Sequence, residues 1–201
     1  PVVPGKDGGD AVEIEGTSSE GNLIGLPYAL VNEISGADPR TICLWAKLYG
    51  WQDGATFFGY GYDWEEVFGL YLGENEGELS LEAGGTSTTI AINGTVDWAA
   101  WHHYCVTYDE DLAVYFDGEL AESWTPAEAL DTSTGGNLIL FTDTDWETNS
   151  LAGALDEVYI YGSALGADAI AVLYGAVTAA PTATPAPTAA PTTAAPTTTA
   201  A

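Results

Sequence analysis

The chain has 201 residues, with 30 Asp or Glu against three Lys or Arg, for a formal net charge of −27. This balance excludes docking on a nucleic-acid backbone or an anionic membrane surface, both of which need the opposite charge, and no apolar run is long enough to insert into a membrane. A hydrophobic content of 46% and seven Trp set the body of the chain apart from charge-driven disorder.

In chain order, short alternating runs at 11–15, 41–48, 55–61, 67–72, 78–82 and 88–92 read as strands. Further runs follow at 102–108, 112–116, 137–141 and 154–161. Gly, Asn and Asp at 75–77, 84–85, 93–94 and 117–118 supply turns between them. Many short strands at this spacing predict a sandwich or barrel, not βαβ units. Only 167–174 has helical spacing, with Ile170, Leu173 and Tyr174 on one side. The chain therefore divides into an all-β body, residues 1–176, and a tail, residues 177–201.

The tail repeats Thr-Ala-Ala-Pro-Thr at 178–182, 188–192 and 193–197 and carries no charge or aromatic ring. It predicts an extended polyproline II-type segment that cannot form a core. A plain linker and a mucin-like stalk both fit. The Thr content favours the stalk, with Thr178, Thr182, Thr184, Thr188, Thr192, Thr193, Thr197, Thr198 and Thr199 as O-glycosylation sites. The chain contains no Met and starts at Pro1, which predicts a processed, secreted protein. In that setting Asn93-Gly94-Thr95 is an N-glycosylation sequon on a turn. The two cysteines are neutral by count: a secreted protein joins them, and a cytosolic one keeps two buried thiols.

Two segments carry a family resemblance. The first is WHHYCVTYD at 101–109, followed by VYFDG at 114–118. The second is LAGALDEVYIY at 151–161, with Ala164-Leu165 and the helix after it. In this order they resemble the strands of the laminin-G-like and pentraxin jelly rolls of the concanavalin A-like superfamily. The resemblance spans residues 10–175 and implies a two-sheet antiparallel jelly-roll sandwich with one short C-terminal helix. Cys43 and Cys105, in TICLW and HYCVT, are similar to the bridged pair of pentraxins, which implies a Cys43–Cys105 disulfide. His102 and His103 are structural in the family. On a strand they also point to opposite faces, so they cannot act as a catalytic pair.

Asp143, Asp145 and Glu147 alternate, with Asn149 following. In an extended segment the three carboxylates leave one face and repel unless a cation lies between them, and Ca²⁺ favours such oxygen clusters. In a protein this acidic, a solvated loop is the competing reading. The resemblance matches Asp143 and Asp145 to the first acidic ligands of the pentraxin calcium loop. Glu147 and Asn149 follow in a shorter loop. Asp63 stands near a further ligand pair, with Trp64 replacing the amide and Glu65 or Glu66 able to compensate.

Glucanases of the same fold place nucleophile and acid on a Glu-x-Asp-x-(x)-Glu strand. The nearest strings here, Asp143-x-Asp145-x-Glu147 and Glu74-x-Glu76-x-Glu78, lack that order. No Ser-His-Asp, Cys-His or zinc pattern is present either, so no enzyme activity is expected. Trp51, Tyr60, Tyr62, Trp64, Trp98 and Trp146 lie near predicted loops, where rings either stack on sugars or pack into the core. The reading placed first is a structural or adhesive subunit of a cell-surface or filamentous glycoprotein assembly. Its tail would contact copies of itself or other extracellular glycoproteins. The alternative is a soluble, calcium-dependent, carbohydrate-binding lectin module with a linker tail.

Overall fold

The computed structural model describes residues 2–15, 24–26, 28–133, 138–140 and 151–175. Two antiparallel sheets face each other. The first runs β1 (Val2–Pro4), β2 (Asp10–Glu15), β13 (Ala152–Tyr161), β4 (Arg40–Leu48), β9 (His102–Asp109), β10 (Asp111–Phe116) and β11 (Glu119–Trp124). The second runs β3 (Ile24–Leu26), β12 (Leu138–Leu140), β5 (Thr56–Tyr60), β6 (Phe68–Leu72), β7 (Glu78–Ala83) and β8 (Thr86–Ala91). Both sheets bring together strands distant in sequence, as a jelly roll does: β13 lies between β2 and β4, and β12 between β3 and β5.

The period-two alternation explains the layers. Ile42, Leu44, Ala46 and Leu48 of β4, with Tyr104, Val106 and Tyr108 of β9, face Phe58, Tyr60, Phe68, Leu70, Leu79 and Leu81 of the second sheet. β4 is nevertheless buried along almost its whole length, because its outward residues are covered too. The helix α2 (Ala167–Gly175) lies over them, packing Ile170 against Cys43, Cys105 and Tyr115. Tyr174 stacks on Trp45 with ring centroids 5.5 Å apart. Cys43 and Cys105 are register partners on β4 and β9, with Cα atoms 4.1 Å apart, and are joined as a disulfide.

One of the three cations is inside. Arg40 is fully buried and donates to the carbonyls of Ile34 (2.6 Å), Gly36 (2.5 Å) and Asp38 (3.0 Å) and to the Tyr60 hydroxyl (2.8 Å). Tyr60 in turn donates to Ile34 O at 2.6 Å. Burial pushes the Tyr60 pKa up to about 12, although the Arg40 charge beside it pulls the other way. Tyr60, expected among the loop aromatics, is thus a core residue whose hydroxyl completes the solvation of a buried guanidinium. The guanidinium is flanked by Phe68 and Tyr108, 5.0 Å from each ring.

Three strands and a turn of helix were not legible in the pattern: β1, β3, β11 and α1 (Tyr28–Val31). β11 shows why. As an edge strand exposed along most of its length, it has no buried face to impose alternation on its sequence. The Thr/Pro tail lies outside the described residues.

Candidate functional site

The outer face of the second sheet is polar where its inner face is leucine. Along β7, Leu79 and Leu81 point into the core while Glu78, Ser80 and Glu82 point out. Along β8, Ile90 is buried, and Ser87 and Thr89 are exposed. Register sets Tyr71, Ser80 and Thr89 in one row across three strands, and Gly69, Glu82 and Ser87 in the next. The Tyr71 ring closes over Gly69: a Cβ there would stand 2.5 Å from the Tyr71 hydroxyl and 2.8 Å from its ring. The Ser80 and Ser87 hydroxyls bond at 2.9 Å. Tyr71, Glu78, Ser80, Glu82, Ser87 and Thr89 floor an open cleft of about 460 Å³, within the range of small-ligand sites.

Two loops raise its walls. One is the turn at Asp53 and Gly54 with Gly73 and Glu74; the other is the Gly61–Trp64 segment. Trp51 braces the first, its indole donating to Gly73 O at 3.2 Å while it packs edge-on against Trp98. Gly61 permits the second. Its φ is +115°, and a side chain there would come within 2.4 Å of Glu66 O, so only glycine fits this turn. The segment then lifts Tyr62 and Trp64 into solvent, 77% and 51% exposed. Two large rings left in water beside a polar-floored cleft are the feature that packing alone does not account for.

Of the expected metal set, only Asp63 is among the described residues; Asp143, Asp145, Glu147 and Asn149 lie outside them, as does Trp146. Asp63 is exposed on the cleft wall and makes no capping bond to the short 3₁₀ turn at Trp64–Glu66 that it precedes. Glu74 and Glu78 of one glucanase-like string also line the cleft, but Glu78 accepts from the Asn75 amide side chain at 2.9 Å. Sequence reading missed Asp53, Tyr71, Ser80, Glu82, Ser87 and Thr89. The available signal was the polar half of the alternation in β7 and β8, which marks an outward face without marking it as concave. Asn93 is exposed in the turn after β8.

The histidines sit on the other sheet and face opposite ways. His102 places Nδ1 2.8 Å from an Asp117 carboxylate oxygen and Nε2 2.9 Å from Asp97 O. Both partners are acceptors, so the two bonds together favour the doubly protonated imidazolium. Burial opposes that charge, but the bonds to Asp117 and Asp97 outweigh it and raise the pKa. His103 is fully buried beside Cys105 Sγ, at 3.5 Å from Nε2. Burial first, and the Lys6 charge second, push its pKa down to about 4, so it is neutral. Cys43, His103 and Cys105 cluster as metal ligands could, all within 4.8 Å. The disulfide consumes both sulfurs, and a bridged sulfur is not a thiolate ligand.

Comparison with known proteins gives a consistent picture. A laminin-G-type family model, described as the concanavalin A-like lectin/glucanases superfamily, matches residues 20–171. No curated protein matches the chain significantly. Among solved structures, domain 4 of AbnA, a GH43 extracellular arabinanase from Geobacillus stearothermophilus in complex with arabinotriose, is similar at 20% identity and TM-score 0.67. The match covers 86% of this chain and 80% of that one. The CBM40 of the Ruminococcus gnavus IT-sialidase, bound to α2,3-sialyllactose, is similar at 17% identity and TM-score 0.67, over 82% and 96%. A heptameric SAP-like pentraxin from Limulus polyphemus is similar at 17% identity and TM-score 0.58, over 70% and 71%.

Proposed function

Because the chain belongs to the concanavalin A-like lectin/glucanases superfamily, we propose that it is a non-catalytic glycan-binding module whose binding surface is the cleft on the second sheet. The exposed pair Tyr62 and Trp64 carries the reading. Their faces offer stacking area for sugar rings, above a floor whose hydroxyls and carboxylates match sugar hydroxyls as hydrogen-bond partners. Two of the similar structures are carbohydrate complexes, which supports the same surface chemistry. The disulfide and the fold support an extracellular setting.

The non-catalytic part rests on the carboxylates. Glu78 and Glu82 share the outward face of β7, as a glycosidase pair would, but Ser80 stands between them and Glu78 is held toward the turn at Asn75. A retaining pair needs its carboxyl groups about 5–5.5 Å apart across the bond. Among the described lining residues there is no His or Cys to substitute as acid, base or nucleophile.

The decisive experiment is binding of the intact chain to a glycan array, then titration calorimetry on the hits with the parent and Trp64→Ala. Loss of about tenfold or more in affinity is expected, the scale of an aromatic anchor worth ~1.4 kcal/mol. Folding should be unchanged, since the ring is exposed. Unchanged affinity for every hit would sink the cleft assignment. The same titrations with EDTA test the proposed calcium ion at Asp143, Asp145, Glu147, Asn149 and Asp63: an occupied site that shapes the cleft predicts weaker binding on chelation and recovery with Ca²⁺.

A second reading, the structural subunit of a surface coat or filament, draws support from the Thr/Pro tail and from the uncompensated charge of −27. O-glycans on the tail threonines, an N-glycan on exposed Asn93 and contacts between copies belong to that reading. Electron microscopy of native material should then show regular polymers; a monodisperse monomer would remove it.

A further inference from the structure

We infer that the cleft selects its glycan by charge: it takes sugars bearing a protonated amine in preference to neutral sugars, and turns acidic sugars away. This rests on the glycan-binding reading and names the ligand class for that same surface. Asp53, Asp63, Glu74 and Glu78 line the cleft. No basic side chain answers them, because all three in the sequence are committed elsewhere.

The sequence has three basic residues. Arg40 is buried on carbonyls and the Tyr60 hydroxyl. Lys6 lies 3.4 Å from the Trp45 ring centroid, on the outer face of the first sheet. Lys47 lies over Trp101 and Tyr49, 5.1 and 5.9 Å from the ring centroids. Of the histidines, His102 has both nitrogens bonded to Asp117 and Asp97, and neutral His103 is buried beside the disulfide. With no metal ion bound, a uronate or sialate entering the cleft would therefore meet only like charge from the protein, whereas an ammonium group finds a carboxylate on either wall. The carboxylates of Asp53, Asp63 and Glu74 are exposed, so salt screens them and the discrimination is moderate, about three- to tenfold per charged sugar.

The test is calorimetry on the full chain, in EDTA so that no calcium ion occupies Asp63, with soluble β-linked trimers that differ only in charge: hexosamine, hexose and hexuronic acid, in both the gluco and galacto series. Expected affinities run amine, neutral, acid, and the spread collapses at high salt. Asp53→Asn/Asp63→Asn/Glu74→Gln should abolish the amine preference. Asp109→Asn/Glu119→Gln/Glu122→Gln, with the same change in net charge on the first sheet, should retain it. Equal binding of acidic and neutral trimers overturns the inference. So does an amine preference that survives the cleft variant or falls equally in both variants, since it would then follow total charge. In these cases the glycan-binding reading stands. Binding of none of the trimers overturns that reading and the charge selection with it.

Discussion

At the scale of single residues, the two adjacent histidines have opposite electrostatic fates because β9 turns them to opposite faces. His103, with its pKa pushed down to about 4, stays neutral in the folded state while the unfolded chain takes up a proton below the ordinary value of 6.5. Between those values the unfolded state binds more protons, so acidification costs stability, by as much as about 3 kcal/mol for this group. His102 is the reverse. Its pKa is raised, so its contribution is fully present below 6.5 and is lost as pH rises through the folded value. Melting temperature followed from pH 4 to 9 should show both limbs. His103→Phe should flatten the acid limb and His102→Gln the alkaline one, relative to the parent. An undiminished acid limb in His103→Phe would show that its burial is not what sets that limb. Neither fate is readable from the string His-His; both follow from what the neighbouring strands and α2 place around each ring.

At the scale of elements, β4 and β9 form the spine of the first sheet, and the Cys43–Cys105 bridge ties them at register partners separated by 62 residues in sequence. Closing a loop of that length restricts the unfolded chain by about 4 kcal/mol in the chain-entropy account. Cys43→Ala/Cys105→Ala should therefore lower unfolding free energy by about that amount, read from denaturant titration. A double variant within about 1 kcal/mol of the parent would mean that β4 and β9 pairing and the α2 cover hold the spine unaided. β4 and α2 also show how much of an element is legible. The run 41–48 announced a strand, and 167–174 a helix with Ile170, Leu173 and Tyr174 on one side, because local periodicity encodes both. That α2 lies on the outer face of β4 and β9, sealing the disulfide and Trp45, depends on tertiary contacts that no local pattern records.

Across the whole molecule, charge and burial divide the labour unevenly. Arg40 spends its charge on three carbonyls and the Tyr60 hydroxyl, so the core absorbs one of only three cations and the surface becomes still more acidic. Placing the remaining two lysines on the first sheet leaves the cleft of the second without a counter-charge, which is the origin of its proposed selectivity. By itself the sequence determined the class of fold and, through their family context, the register-paired cysteines. Alternation, turn residues and net charge are local or additive properties, so they survive being read one residue at a time. Only the tertiary structure decided that Tyr60 is core while Tyr62 and Trp64, two and four residues on, stand in water. It also decided that Asp53, Asp63 and Glu82 meet at one cleft. Those outcomes depend on the strand order across the sheet and on the left-handed turn at Gly61, which bring together residues that the chain keeps apart.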